Sequence, residues 1–80
     1  MSKQIIRSDE ANSIGTNIRR LRMEHNLGPT ELARKLQLRG IDITRETIGK
    51  IERGEQHIKL EQLRGIRDFF HTTYEELLDG

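Results

Sequence analysis

The chain has 80 residues, of which 32% are apolar and 34% charged, so it can form one domain with a small core and no large enzyme pocket. It contains no cysteine, which excludes disulfides, thiolate metal sites and cysteine nucleophiles. The net charge is only +1, which by itself argues against a strongly basic nucleic-acid binder.

The charges are nevertheless distributed unevenly along the chain. Residues 17–53 hold nine Lys or Arg against five Asp or Glu, whereas residues 54–80 hold three against six. A basic half suits an anionic partner, although two solvated faces without a role would explain the asymmetry about equally well. No apolar run approaches a membrane span or a signal peptide, so we expect a cytoplasmic protein with no membrane partner.

The hydrophobic spacing predicts helices and no sheet. Residues 1–10 have no sustained periodicity, and we interpret them as a flexible N-terminal arm ahead of a single domain at residues 11–80. The first helix is predicted from residue 11 to about Asn26. Its apolar residues at helical spacing are Ile14, Ile18 and Leu21.

A second helix is predicted to begin at Pro29. Proline at the first helical position loses no hydrogen bond, and Glu31 favours the positive end of the helix dipole. Gly40 is a suitable left-handed terminator. The predicted buried stripe consists of Leu32, Ala33 and Leu36.

The segment from Thr44 to Gly54 predicts a short third helix with two unlike faces. Thr44 supplies a hydroxyl N-cap, and Gly54 tolerates the left-handed conformation that ends a helix. Ile48 and Ile51 are three residues apart and turn one stripe inward. The remaining surface carries the charged residues Arg45, Glu46, Lys50 and Arg53.

Two further helices are predicted near the C-terminus. The fourth covers residues 59–70, where we expect Phe69 in the core and Phe70, with Tyr74, as candidates for a dimer surface. The fifth begins after Thr73, which forms a capping-box pattern with Glu76. The apolar residues that predict the fourth helix are Leu60, Leu63, Ile66, Phe69 and Phe70.

Four segments in this order, IRRLR, LGPTELARKL, TRETIGKIERG and YEELL, resemble the Cro and phage-repressor (Xre-type) helix-turn-helix family over residues 14–78. The resemblance implies an all-α, compact five-helix domain like that of lambda repressor. In this family the second and third helices form the helix-turn-helix, and the third lies in the major groove of DNA.

The resemblance also implies roles for individual residues. Contacts with base edges are expected from Arg45, Glu46, Gly49 and Lys50, because Arg and Lys suit guanine O6 and N7 and a glutamate can accept from cytosine N4. Contacts with sugar and phosphate are expected from Thr30, Thr44, Thr47, Arg53 and Lys59. Arg22 and Glu52 are expected to form a structural ion pair between the first and third helices.

Three features depart from the family pattern. Pro29 stands where the family usually has a phosphate-binding glutamine, and Thr30 with the free backbone amides of the same helix end can replace it. The connection from Gln37 to Ile43 is about five residues longer than a tight turn and can change the angle between the helices. Gly49 costs about 1 kcal/mol in a helix interior, and close approach of the helix backbone to DNA would offset this cost. The alternative is packing against another helix or simple tolerance of the glycine.

We therefore expect a sequence-specific transcription regulator, a repressor, that binds a near-palindromic double-stranded DNA operator as a homodimer. The alternative is a protein-binding module, such as an antitoxin or adaptor, which uses the same helical domain with a protein partner. We expect no enzyme activity and no cofactor, because no nucleophile motif occurs. We expect no metal, because His25, His57 and His71 lie too far apart in sequence to share a helical face.

Overall fold

The structure is a computed structural model that describes the backbone of residues 2–79 and the side chains of residues 13–79. Within these limits the chain forms five α-helices and no strand, which confirms the predicted all-α fold class. The helices are α1 (Ser2–Glu24), α2 (Pro29–Leu38), α3 (Arg45–Glu52), α4 (Leu60–Phe70) and α5 (Tyr74–Asp79).

Helix α1 begins at Ser2, earlier than the start at residue 11 that the sequence pattern predicted. Residues 2–10 contain neither glycine nor proline, so a helix that is nucleated by the packed residues after them can extend back through them. The side chains of residues 1–12 lie outside the described residues. The flexible arm at residues 1–10 therefore stays a prediction.

The core receives apolar side chains from all five helices. Burial of such side chains contributes roughly 1.5–3 kcal/mol each, and α3, with only eight residues, depends on this packing because isolated short helices are marginal. The buried apolar residues are Ile18, Leu21, Leu32, Ala33, Leu36, Ile43, Ile48, Ile51, Ile66, Phe70 and Leu77.

Helix α4 differs from its prediction in the face that it buries. Phe70 is only 6% exposed and lies in the core, so its predicted assignment to a dimer surface is wrong. Phe69 is partly buried and packs against the edge of the core. Leu60 is 63% exposed. The predicted face advanced in steps of three residues, which drifts around a helix that has 3.6 residues per turn. The buried face instead consists of Gln62, Gly65, Ile66 and Phe70.

The long connection between α2 and α3 is packed against the rest of the domain. Ile43 is buried, and its carbonyl oxygen accepts a hydrogen bond of 2.8 Å from the side chain of Gln37. The buried Gln62 of α4 donates to the carbonyl oxygen of Asp42 at 3.0 Å. A Cβ at Gly65 would come within 2.7 Å of Ile41, so the glycine allows the connection to approach α4 closely. These contacts fix the connection between the two helices.

Candidate nucleic-acid interface

Helix α3 begins and ends where the sequence signals predicted. The Thr44 hydroxyl accepts the Thr47 backbone N–H at 3.1 Å and lies 3.0 Å from the Thr47 hydroxyl, to which it donates. Gly54 has a φ of 73°, the left-handed conformation that follows many helix ends. Ile48 and Ile51 are buried, so the opposite face of α3 is turned outward.

The outward face of α3 forms part of a concave surface that encloses a volume of about 350 Å³. The side chains of Arg45, Glu46 and Lys50 are exposed there. Three cations and one carboxylate give this surface an excess of positive charge, which suits a polyanion. We define the concave surface by its lining residues, Pro29, Arg45, Glu46, Gly49, Lys50 and Arg53. It thus brings together all four residues that were predicted to contact bases.

The residues that were predicted to contact the DNA backbone fall into two groups. Arg53 lines the concave surface beside the candidate base contacts. The other four do not line it: Thr30 is exposed in the first turn of α2, Thr44 caps α3, Thr47 lies in the first turn of α3, and Lys59 is exposed at the N-cap of α4. The structure therefore does not separate Arg53 from the residues that were assigned to bases.

The guanidinium of Arg53 is held by a carboxylate that the sequence analysis did not single out. Its Nε donates to Oε2 of Glu55 at 3.0 Å, and its Nη2 donates to Oε1 at 3.2 Å. This hydrogen bonding raises the pKa of Arg53 and lowers the pKa of Glu55. The two residues are separated by the left-handed Gly54, so the pairing depends on the turn after α3.

Gly49 lies beneath the same guanidinium. A Cβ at this position would be 3.1 Å from Nη1 of Arg53, and its three nearest neighbours would all be atoms of that side chain. The neighbour of Gly49 is thus the arginine one turn later, and packing against another helix is not found. Close approach to DNA and simple tolerance of the glycine both stay predictions.

Two contacts hold α3 from behind. Arg22 of α1 forms a two-pronged ion pair with Glu52, with N···O distances of 2.8 and 3.0 Å, and this hydrogen bonding raises the pKa of Arg22. Gly15 of α1 packs against the last turn of α3, where an added Cβ would overlap the carbonyl oxygens of Ile51 and Glu52. Helix α1 therefore supports α3 along the side away from the concave surface.

Neither a metal site nor a membrane-spanning helix is found in the described part of the chain. The side chains of residues 13–79 include no group of three or more His, Asp or Glu that could hold a metal ion. None of the described helices is both long and apolar enough to span a bilayer.

Comparison with known protein families matches residues 18–77 to a family described as helix-turn-helix. The match extends from α1 to α5 and covers most of the chain, so the protein belongs to the helix-turn-helix family of the Cro and phage-repressor type. The family consists of DNA-binding regulators and is not usually enzymatic, which makes this chain a DNA-binding helix-turn-helix domain. No curated protein and no solved structure matched the chain.

Proposed function

We propose that the protein is a sequence-specific transcription regulator that inserts α3 into the major groove of duplex DNA. The observation that supports this most directly is the concave surface, where Arg45, Glu46, Gly49 and Lys50 lie together and face outward. The buried ion pair between Arg22 and Glu52 holds this face from behind. Rigid support matters because base recognition needs donors and acceptors in fixed positions.

The dimensions of α3 suit the major groove. An α-helix with its side chains is about 10–12 Å in diameter, and the major groove of B-DNA is about 12 Å wide. Arg45 and Lys50 offer donors to guanine O6 and N7, and Glu46 offers an acceptor to the amino group of cytosine. The space above Gly49 is occupied by the guanidinium of Arg53 in the free domain, so a base pair would approach α3 here through that side chain.

Backbone contacts on both sides of α3 would fix its register. The first turn of α2 contains the N–H groups of Thr30 and Glu31, which have no intrahelical acceptor and suit a phosphate oxygen. The hydroxyl of Thr47 accepts from Thr44 and keeps its own proton for donation. Lys59 adds an exposed cation at the start of α4. These groups would position the helix without reading the sequence.

We further propose that the protein acts as a symmetric homodimer and as a repressor. One eight-residue helix that reads bases with three charged side chains provides too little discrimination among the competing sites of a genome. Two copies that bind half-sites about one helical turn apart roughly double the discrimination. The operator would then be near-palindromic, and its occupation by the dimer would block transcription.

Selection of bound duplexes from a random pool tests this proposal directly. We expect the wild-type protein to enrich a near-palindromic motif with guanine in each half-site, and Arg45→Ala to lose the preference at one base position. If the recovered duplexes share no enriched motif and bind the protein only at low salt, sequence-specific binding is rejected. A single, unrepeated half-site would reject the dimer and leave the monomeric interaction with DNA.

A second candidate function is the protein-binding module. It is favoured by large apolar side chains that remain exposed on the described surface, namely Met23, Leu38, Leu60 and Leu78. Leu38 is the most exposed of them, at 82%. A stoichiometric partner that co-purifies with the wild-type protein, but not with Leu38→Gln, would support this candidate. Retention on DNA that falls steeply with salt, in the absence of such a partner, would support the regulator.

A further inference from the structure

The orientation of Arg53 in the free domain is set by two neighbours on different elements of the backbone. Glu55 binds the edge of the guanidinium that carries Nε and Nη2, while Nη1 lies over Gly49. An alanine at position 49 would crowd Nη1, because 3.1 Å is closer than most Cβ contacts. The glycine and the carboxylate thus keep the side chain folded back along α3.

The hydrogen bonds to Glu55 leave part of the guanidinium available. Arginine has five N–H donors, and two of them are engaged by Glu55, so three remain on Nη1 and Nη2. These donors belong to the end of the side chain that lies beside Gly49 on the concave surface. A fork of this kind suits two acceptors in one plane, as on the edge of guanine.

The charge of the pair disfavours the alternative partner, a backbone phosphate. Glu55 and Arg53 neutralise each other over distances of 3.0 and 3.2 Å, so a phosphate would meet an almost neutral group and a nearby carboxylate. Base edges carry partial charges and are repelled much less by the carboxylate. The geometry and the charge therefore favour the same partner.

We infer that Gly49 and Glu55 are positioning residues that direct Arg53 toward the bases, which makes Arg53 a specificity-determining residue rather than a backbone contact. This inference rests on the proposed function, because it requires α3 to enter the major groove. It assigns to Glu55, an acidic residue at a DNA-binding surface, the role of restraining a cation that would otherwise bind any phosphate.

The chain offers a matched control for Glu55. Asp68 is an exposed carboxylate on α4 that accepts from Nε of Arg67 at 2.9 Å, so Asp68→Asn removes the same charge from a similar pair. Asp68 does not line the concave surface. A difference between Glu55→Gln and Asp68→Asn therefore reports the position of the carboxylate and not the net charge.

The first experiment measures the Arg53 side chain in the free protein. The NMR signal of the Arg53 Nε–H group should shift in Glu55→Gln and in Gly49→Ala and stay in place in Asp68→Asn, while melting temperatures confirm that each variant is folded. An Arg53 signal that is identical in all four proteins would overturn the positioning by Gly49 and Glu55 without any reference to DNA.

The second experiment measures affinity for the selected duplex and for an unrelated duplex of equal length. Glu55→Gln should strengthen binding to the unrelated duplex by about two- to five-fold more than Asp68→Asn does, so that the ratio of the two affinities falls. Arg53→Ala should weaken binding to the selected duplex by about five-fold or more and should reduce the affinity for the unrelated duplex less.

Two results separate the inference from the proposed function. If the wild-type protein selects a motif but Arg53→Ala weakens binding to both duplexes equally, the inference is wrong and the proposed function stands. If the wild-type protein selects no motif, the proposed function fails and the role of Arg53 in base selection fails with it. In that second case a shifted Arg53 signal would still establish the restraint by Glu55.

Discussion

The guanidinium of Arg22 and the carboxylate of Glu52 lie edge to edge between α1 and α3, with side-chain exposures of only 12% and 8%. A third donor, Nη1 of Arg22, reaches the carbonyl oxygen of Leu27 at 2.9 Å. One side chain therefore connects the end of α3 to the turn between α1 and α2. A pair that is this well buried and hydrogen-bonded restrains orientation more than an exposed pair does.

Glu52→Ala should destabilise the domain, because it leaves the largely buried guanidinium of Arg22 without its counter-charge. We expect the free energy of unfolding to fall by about 3–5 kcal/mol and the melting temperature by more than about 10 °C. DNA affinity should fall as well, since α3 loses its support. Circular dichroism during heating measures the first effect, and an unchanged melting temperature would show that the pair has no structural role.

Glu24→Ala provides the control for that substitution. Glu24 pairs with Arg20 at 3.3 Å on the exposed side of α1, where both side chains are about half exposed. Loss of an exposed pair changes stability by less than about 1 kcal/mol. A loss as large as that of Glu52→Ala would mean that truncation of any acidic residue destabilises this small domain.

Two glycines inside helices should respond in opposite directions to the same substitution. Alanine favours a helix over glycine by about 1 kcal/mol, so Gly49→Ala should stabilise the domain because only the flexible Arg53 side chain must move. Gly15→Ala should destabilise it by about 1–3 kcal/mol, because backbone carbonyl oxygens of α3 occupy the space. Denaturant unfolding measures both, and shifts of equal sign would contradict the packing of α1 on α3.

The difference between these glycines illustrates what the sequence could predict. The ends of helices depend on nearby residues, so Thr44 and Gly54 predicted the bounds of α3, and Thr73 does accept the backbone N–H of Glu76 at 3.1 Å. The outward face of α3 was equally predictable, because the spacing of Ile48 and Ile51 indicated which face is buried, and both residues are buried in the structure. Gly15 contacts residues more than 30 positions away, which no local pattern encodes.

The candidate site shows the same division. Local spacing placed Arg45 and Lys50 on one face, but the contribution of Pro29 to the concave surface depends on how α2 packs against α3. The pairing of Arg53 with Glu55 requires the left-handed turn at Gly54 to bring the two side chains together. Tertiary packing and turn geometry, rather than residue type, decide these features.

The pairing of Arg53 with Glu55 also has a pH dependence whose sign follows from linkage. The hydrogen bond from Arg53 lowers the pKa of Glu55 in the folded protein. The carboxylate therefore adds stability above its unfolded-state pKa, and this contribution is lost as the pH falls through the lower folded-state pKa. Because both side chains are more than half exposed, the effect on stability is small.

The pKa of Glu55 itself is the sharper measurement. An NMR titration of the side-chain carboxyl carbon should give a lower pKa for Glu55 in the wild-type protein than in Arg53→Ala, where the main cause of the shift is removed. Arg67→Ala, which breaks the separate pair with Asp68, serves as the control and should leave Glu55 unchanged. Equal values in the wild type and Arg53→Ala would show that the pair does not persist in solution.

Lys59 and Arg45 should differ in the way that they affect binding to DNA. If Lys59 neutralises a phosphate, Lys59→Ala weakens binding to every duplex and reduces the slope of log affinity against log salt concentration by about 0.9. If Arg45 contacts a base, Arg45→Ala leaves that slope almost unchanged and removes about 1–3 kcal/mol of discrimination at one position. Fluorescence anisotropy at several salt concentrations, with the selected duplex and a single-base variant, measures both quantities. Arg64→Ala, the control, removes an exposed cation from α4 and should change neither the salt slope nor the discrimination between the two duplexes. A uniform loss of affinity for both duplexes in Lys59→Ala and in Arg45→Ala would reject this division of roles.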